Sequence, residues 1–309
     1  MQSTNKPYAA AHFALELDGR NDIGLFRSIE GGGVKADVMT YQYGHSYEKW
    51  RTIGKPKFED MKVQVGMAMS KPFYDWIEKF FEGNAERKNG AIVAADFDYN
   101  ERARREFTNA MIRELTFPKL EGKDPQPIFM SLALAVEGMT FTPGRGSKIA
   151  QGQGAAKQKD WRGNKFRIGI DGFEEACRNC TKIDSFTIKQ NIIEHHTGGF
   201  RGPTKHPSQI EFPQLSFYIP ETDARPFYEY VHTRISNGEM SKNGTNGKNG
   251  YIQTYDSAGG RLFTVEFFNA DIFAVTPDNG DSSKAEFKMV KIEMFTERMK
   301  FDYAPGGIV

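Results

Sequence analysis

The sequence predicts a mainly β protein made of two tandem antiparallel β-barrel or sandwich domains, each with one α-helix. Three observations predict this fold class. Most segments alternate apolar with polar or small residues, as "MKVQVGMAM" does at 61–69, and such alternation is typical of a strand with one buried face. Helical spacing of apolar residues interrupts the pattern near 70–84 and again near 223–238. The second half of the chain also repeats the first.

The repeat becomes visible when the chain is compared with itself. "KPFYDWI" at 71–77 and "RPFYEYV" at 225–231 are 154 residues apart, whereas "EFTNAMI" at 106–112 and "EFFNADI" at 266–272 are 160 residues apart. The six additional residues fall in a stretch of the second copy that includes "SKNGTNGKNG" at 241–250. That composition is typical of a loop, where insertions are tolerated. The sequence therefore predicts a tandem duplication.

The duplication divides the chain into three segments. We name 8–142 the first repeat and 164–303 the second repeat. The segment between them, 143–163, is rich in Gly, Gln and Lys and is predicted to be a flexible linker or an extended arm. Its "GRGSK" lacks the glycine spacing of a phosphate-binding loop.

Each repeat is expected to contain about four strands, one helix and two or three further strands. Both repeats open with a strand that ends in an Asp-Gly turn, "FALELDG" at 13–19 and "FRIGIDG" at 166–172. Period-two alternation returns in "LSFYI" at 215–219 and in "FKMVKIEMF" at 287–295. These segments predict strands with one face in a core.

The first helix is predicted over 70–84. Pro72 suits a first helical turn with Ser70 as a candidate N-cap, and Gly83 can end the helix. Its apolar face, which we expect to pack on the sheet, consists of Phe73, Trp76, Ile77 and Phe80. The second helix, with Asp223 as candidate cap, presents Phe227, Tyr230, Val231 and Arg234 on the corresponding face.

Composition excludes several classes of protein. The 309 residues include 41 Lys and Arg against 40 Asp and Glu, so the basic excess usual in proteins that neutralise many phosphates is missing. No apolar run reaches 18 residues and the first residues do not resemble a secretory signal, so we expect no membrane insertion. Two cysteines argue against a disulfide framework.

Cys177 and Cys180 form a CxxC motif and are the candidate metal or redox residues. Zinc would need two more ligands, for which His195, His196 and His206 are available. Redox CxxC motifs usually open a helix of a βαβ unit, which the pattern does not predict here. Cys180 also aligns with an apolar residue of the first repeat, Phe26, which favours the alternative of small core residues. We expect no metal and no cofactor.

The other polar clusters are interpreted as parts of the scaffold. Asp96 and Asp98 lie in a hairpin-like stretch, and the charged run "ERARRE" at 101–106 could contact nucleic acid or an acidic partner, although a solvated hairpin tip is the favoured interpretation. The glycine cluster at 30–35 is interpreted as a turn. No nucleophile motif or cofactor fingerprint occurs, so catalytic residues are expected to be absent and the protein is not expected to be an enzyme.

The motifs of the first repeat follow one another in a characteristic order. They are a strand ending at Asp18-Gly19, "GLFRSIEGGGVKADVMTYQYG" at 24–44, "GKPKFEDMKVQVG" at 54–66, a helix containing Trp76, "FTNA" at 107–110, and a closing strand ending in "VEGMTF" at 136–141. This order resembles that of the tail-tube proteins of contractile phages and phage-like injection systems. The first repeat departs from the family at Gly54-Lys55-Pro56, where Pro-Gly is usual, and the second has Tyr230 in place of the tryptophan.

The resemblance implies a structural subunit of the inner tail tube. Such subunits join edge to edge in rings, and the rings stack into a hollow conduit. Six domains per ring are usual in the family, so two fused domains imply a trimer with pseudo-sixfold symmetry in preference to a hexamer. The alternative is a baseplate hub or tube-initiator ring of the same machine.

The resemblance also implies the partners and the location. The partners would be further copies of the chain, the tail sheath, baseplate and tail-terminator proteins, and translocated DNA or protein in the lumen. The location would be a virion tail or a phage-like particle that is assembled in the bacterial cytoplasm.

Overall fold

The computed structural model describes residues 9–42, 44, 47–150, 161–198, 202–236, 247–278 and 287–303. The fold class is confirmed, because the chain is mainly β and the strand pairs of the described residues are antiparallel. Most of the "SKNGTNGKNG" stretch (241–246) and the middle of the predicted linker (151–160) lie outside the described residues.

The first repeat contains more strands than the sequence predicts. Its strands are β1 His12–Leu17, β2 Arg20–Phe26, β3 Ser28–Gly31, β4 Val34–Gln42, β5 Lys49–Phe58, β6 Met61–Val65, β7 Lys88–Ala95, β8 Glu101–Phe117, β9 Leu120–Glu121, β10 Met130–Ala135 and β11 Gly138–Pro143. Six strands precede the helix where about four were expected. The short β3 is too brief to show a period.

The second repeat contains the strands that follow the linker. These are β12 Phe166–Ile170, β13 Lys182–Ile183, β14 Phe186–His195, β15 Thr204–Glu211, β16 Leu215–Pro220, β17 Lys248–Tyr255, β18 Arg261–Pro277, β19 Met289–Phe295 and β20 Arg298–Asp302. Five of them precede its main helix.

The two repeats have the same strand order. In the first repeat the hydrogen-bonded path runs β1-β7-β8-β10-β6-β3, and in the second it runs β12-β17-β18-β19-β16-β13. The 17-residue strands β8 and β18 are the centre of each path, and their first halves also pair with β11 and β20 respectively. Each long strand therefore pairs with the last strand of its repeat as well as with the strands of the path.

Local details recur at matching places in the two repeats. Asn109 and Asn269 each adopt a φ of 51°, and each donates from its side chain to a glutamate, Glu137 at 2.7 Å and Glu297 at 3.0 Å. A Cβ on Gly90 would stand 2.1 Å from a main-chain oxygen of the neighbouring strand. The counterpart of this glycine, Gly250, has the same close approach at 2.3 Å, so only glycine fits at either position.

The helices agree with the predicted positions, with shorter bounds. α1 spans Lys71–Phe81 and buries its predicted apolar face. In the second repeat, α2 spans Glu174–Cys177, which the sequence analysis did not predict, and α3 spans Arg225–Val231 before a π-helical turn at His232–Ser236. α2 stands where the first repeat has β2; Glu174 and Glu175 in its first turn favour a helix start.

The core of the two repeats is continuous. One cluster of buried apolar side chains extends from Leu15 and Ile77 in the first repeat to Phe217 and Phe301 in the second. The ends of the predicted linker also pack, because Ile149 and Trp161 are buried. These two residues are therefore packed and do not behave as parts of a flexible linker.

Candidate assembly surface

The first and second repeats are joined by strand pairing. β14 adds to the last residues of β8, with Phe186 opposite Phe117 and Lys189 opposite Glu114. At the next position the hydroxyls of Thr116 and Thr187 lie 2.9 Å apart. The ten-stranded sheet thus contains the six strands of the first-repeat path together with β2, β11, β14 and β15. We name this contact the internal junction.

Aromatic side chains fill the internal junction. Phe117 stacks on Phe186 with ring centroids 4.9 Å apart, and Phe81 of α1 stacks on Phe301 of β20 at 5.9 Å. Phe263 lies 5.3 Å from Phe301. Aromatic pairs at these separations contribute about 0.5–1.5 kcal/mol each beyond area burial, so the repeats are held together by a core and not only by an edge.

A glutamate fixes the outer part of the internal junction. The backbone N–H of Lys205 on β15 donates to Glu137 Oε1 at 2.6 Å, and the guanidinium of Arg87 donates to the carbonyl of the same lysine at 2.6 Å. Asn109 holds the other carboxylate oxygen of Glu137. Both main-chain groups of one strand residue are therefore satisfied by side chains of the other repeat.

The last described residue of the second repeat, Tyr303, packs against α1 of the first repeat. Tyr303 stacks on Tyr74 with centroids 3.7 Å apart, and its backbone N–H donates to Glu78 at 3.0 Å. Burial, together with the nearby Tyr303, raises the pKa of the Tyr74 hydroxyl well above its ordinary range. Tyr74 and Phe81 were not on the predicted apolar face of the helix. They are buried because the second repeat covers them.

The hairpin β4–β5 is the counterpart of β14–β15, but in the described residues it pairs with no other strand. Both hairpins have the same register and both contain a shift at the same place, between Ala36 and Val38 and between Gln190 and Ile192. Large apolar side chains of the first hairpin are exposed, namely Val34, Val38, Met39, Tyr41, Trp50 and Ile53.

The counterpart of the β8 edge is exposed as well. Ala274–Pro277 of β18 pairs with β19 on one side, as the end of β8 pairs with β10. On its other side the described residues provide no strand, whereas β8 has β14 there. Leu115 in β8 is fully buried, but its counterpart Val275 is only partly buried.

The CxxC residues occupy a packed position. Cys177 ends α2 and is buried, and Cys180 is partly buried with its thiol 3.4 Å from the carbonyl of Lys182. Burial raises the pKa of both thiols to about 12. Among the described residues, no group of three or more His, Cys, Asp or Glu side chains is placed to hold a metal ion. The alternative of small core residues fits this environment.

The histidine candidates lie elsewhere. His195 and His206 contact each other across the β14–β15 hairpin with ring centroids 6.2 Å apart, and His196 follows the end of β14. The structure therefore does not bring them together with Cys177 and Cys180 in any described cluster.

The interpretation of 101–106 as a solvated hairpin tip is wrong. These residues form the first third of β8, and Arg104 is buried between two carboxylates. Its guanidinium contacts Glu16 through two bonds of 2.6 and 2.9 Å and Glu101 at 2.9 Å, which raise the arginine pKa above its ordinary value. Glu16 lies 88 residues away, so no local pattern in the sequence indicates this contact. Asp96 accepts bonds within the β7–β8 turn, which agrees with the predicted hairpin.

The first repeat matches one family model. The model of the T4-like virus tail tube protein gp19 matches residues 9–140. Over its first repeat, the chain is therefore similar to the tail tube family. This similarity agrees with the resemblance that the motifs of the first repeat show. No curated protein matches the chain. Among the described residues, no helix is long and apolar enough to cross a membrane.

Several solved structures contain chains that are similar to part of this chain. A chain of the sheath–tube complex of the extracellular contractile injection system PVC is 16% identical, with 45% of this chain and 89% of that chain covered at a TM-score of 0.36. A chain of the tube-terminating cap of the anti-feeding prophage is 20% identical, with the same coverages and a TM-score of 0.38. Hcp1 from E. coli EAEC 042 is 13% identical, again with those coverages, at a TM-score of 0.25.

Proposed function

We propose that the chain is a structural subunit of an inner tail tube, which forms stacked rings around a hollow conduit in a phage tail or phage-like contractile injection system. The observation that carries this proposal is the match of residues 9–140 to a tail tube family. The chain contributes two tandem tube domains, 8–142 and 164–303, because the second repeat has the strand order of the first. The segment 143–163 connects them.

Three chains complete a ring in this proposal. The internal junction supports this arrangement, because it pairs a strand of the first repeat with a strand of the second. A contact of this head-to-tail kind closes into a ring when its rotation permits. If a ring holds six domains, as the resemblance implies, then three chains with pseudo-sixfold symmetry supply them.

The proposed partners follow from a position in a tube. The outer wall of the ring would meet the tail sheath, and the two ends of the stack would meet baseplate and terminator proteins. The lumen would pass DNA or protein. The chain would then reside in a virion tail or a related particle that is assembled in the bacterial cytoplasm, and its role would be structural instead of enzymatic.

Electron microscopy of the purified protein tests the proposal. We expect threefold rings whose subunits show two similar lobes, and we expect these rings to stack into tubes as the concentration rises. Rings that never stack would favour the baseplate hub or tube-initiator role. Sixfold rings with an additional outer lobe would keep the tube but overturn the trimer. Monomers alone, up to high concentration, would contradict the tube role.

A further inference from the structure

We propose that one chain joins the next by repeating its own internal junction. The β4–β5 hairpin of one copy adds to β18 at Ala274–Pro277 in a second copy of this chain, on the side where the described residues provide no strand. Val34 of the first copy then lies opposite Val275 of the second. This inference rests on the proposed ring assembly and deepens it, since it names the surfaces and the register of the contact.

The register is transferred from the internal junction residue by residue. The hairpins correspond at an offset of 154 and the edges at an offset of 160, and both hairpins keep the same internal pairing. In the internal junction the paired residues include Ile188–Leu115 and Lys189–Glu114. The corresponding pairs between chains are Val34–Val275 and Lys35–Ala274. Adding a strand in this way satisfies main-chain groups that an exposed edge leaves unpaired.

The burial of apolar side chains supports the same contact. Ile188 and Leu115 are fully buried in the internal junction, whereas 49% of Val34 is exposed. Val275 is only partly buried, so both members of the corresponding pair keep apolar surface that a partner strand would cover. In the described residues of one chain, β4–β5 pairs with no other strand and Ala274–Pro277 has no strand on its second side, so the partner of each is a second copy.

A second pair of exposed residues falls at corresponding positions. Phe81 and Phe301 stack within the chain and are 4% and 1% exposed. Their counterparts at the same offsets are Ile235, which follows α3, and Phe141 on β11, and these are 55% and 57% exposed. The proposed contact brings Ile235 of one copy onto Phe141 of the next. Two separate exposed residues are thus explained by one docking geometry.

A third correspondence is polar. Glu137 accepts the backbone N–H of Lys205 while Asn109 holds its second oxygen. The counterpart Glu297 is held in the same way by Asn269, and it is exposed. In the proposed contact Glu297 accepts the backbone N–H of Arg51 from the neighbouring copy, since this residue corresponds to Lys205.

The contact between chains lacks some of the groups that fill the internal junction. The stacked pair Phe117 and Phe186 corresponds to Pro277 and Gly32, and Arg87 corresponds to Gly247. The contact between chains therefore buries less aromatic surface. Rings should come apart into single chains on dilution, while the internal junction remains intact.

Cysteine cross-linking of the full chain tests the register. Directly opposed residues of an antiparallel pair have Cβ atoms about 4.5–5.5 Å apart, close to disulfide geometry. In a chain carrying both Val34→Cys and Val275→Cys, mild oxidation should link most chains into covalent dimers and trimers on a non-reducing gel. The matched control carries Val38→Cys with Val275→Cys; Val38 is exposed as well, but it lies four residues out of register and should not cross-link.

The outcomes separate this inference from the proposed function. Rings by microscopy without a Val34–Val275 cross-link, or with a stronger one in the control, overturn the register and leave the tube role standing. No rings and no cross-links contradict both. Capture of Ala274–Pro277 by another tail protein in place of a second copy would also overturn the inference.

A surface substitution provides a second measurement that does not depend on disulfides. Phe141→Asp should raise the concentration at which rings form by about tenfold or more, because the carboxylate would be buried against Ile235. Phe97→Asp is the control, since Phe97 is also exposed but lies in the β7–β8 turn, away from the proposed contact. Equal effects of the two substitutions would overturn the inference.

Discussion

At the residue scale, the contacts that matter most are those that have a counterpart in the other repeat. Glu137 and Glu297 are each held by an asparagine with a φ of 51°. Among the described residues, Glu137 accepts the backbone N–H of Lys205 from a strand of the other repeat, and Glu297 has no such partner strand. A substitution at Glu297 can therefore serve as the control for the same substitution at Glu137, because the two residues share the asparagine contact.

Glu137→Gln should destabilise the folded chain. The glutamine amide carries no negative charge for the two N–H donors of Lys205 and Asn109. Its own NH₂ group would also face one of these donors. Removing such a partially buried, charge-assisted acceptor costs about 1–3 kcal/mol, and the loss is measured as a lower urea midpoint. Glu297→Gln has the same asparagine contact but no described strand to hold, so the midpoint of the dilute chain should hardly change. Equal shifts would contradict the role of Glu137 at the internal junction.

The thiol of Cys177 gives a pH prediction. Burial raises its pKa from about 9 to about 12, so the unfolded chain ionises first as the pH rises. Stability should therefore be unaffected by this group below pH 9 and should decrease between pH 9 and 12. Denaturant titrations across that range measure the slope, and Cys177→Ala should reduce it. A native chain at pH 8 should also react with an alkylating reagent far more slowly than in urea; rapid native labelling would contradict the burial.

At the element scale, the helices are the clearest case of structure that the sequence encodes locally. The spacing of Phe73, Trp76, Ile77 and Phe80 predicts α1 and its buried face, and both are present. The sequence did not predict that Tyr74 is buried. It is covered by Tyr303, which follows it by more than two hundred residues, and no periodicity within the helix reports a contact that distant.

The same reasoning explains what was missed in the sheets. Alternation predicts strands such as β6 and β16, because each has one face in the core. Alternation does not say which edge a strand joins, so the pairing of β14 with β8 was not predicted. The buried Arg104 was interpreted as solvated because both carboxylates that neutralise it become neighbours only in the folded sheet.

Replacing the aromatic residue at the centre of α1 should reduce the free energy of unfolding more than the corresponding replacement in α3. Trp76 is buried and its indole N–H donates to the carbonyl of Glu86 at 3.0 Å. Trp76→Ala should cost about 3–5 kcal/mol, measured by urea unfolding. The corresponding Tyr230 is only partly buried, with its hydroxyl 2.8 Å from Asp271, so Tyr230→Ala should cost less. A larger loss at Tyr230 would show that the two helices do not play the same part in their repeats.

At the scale of the whole molecule, the two repeats share one core. The apolar cluster passes from the first repeat to the second through Phe81, Phe117 and Phe301. Tandem domains with separate cores would unfold independently, because few contacts cross such a boundary. Here the boundary contains strand pairing and aromatic stacking, so each repeat completes the core of the other.

The chain should therefore unfold in one cooperative transition, even though it contains two repeats. Far-ultraviolet circular dichroism and tryptophan fluorescence should give coincident urea curves, since Trp76 lies in the first repeat and Trp161 at the boundary. Phe301→Ala should shift both curves together to lower urea concentrations, and the free energy of unfolding should fall by about 3–5 kcal/mol. Phe141→Ala, its exposed counterpart, should leave the dilute chain nearly unchanged and weaken only ring formation. Two separated transitions, or a Phe301→Ala effect confined to one of them, would show that the internal junction joins two independent domains and would remove the basis for using it as the template of the contact between chains.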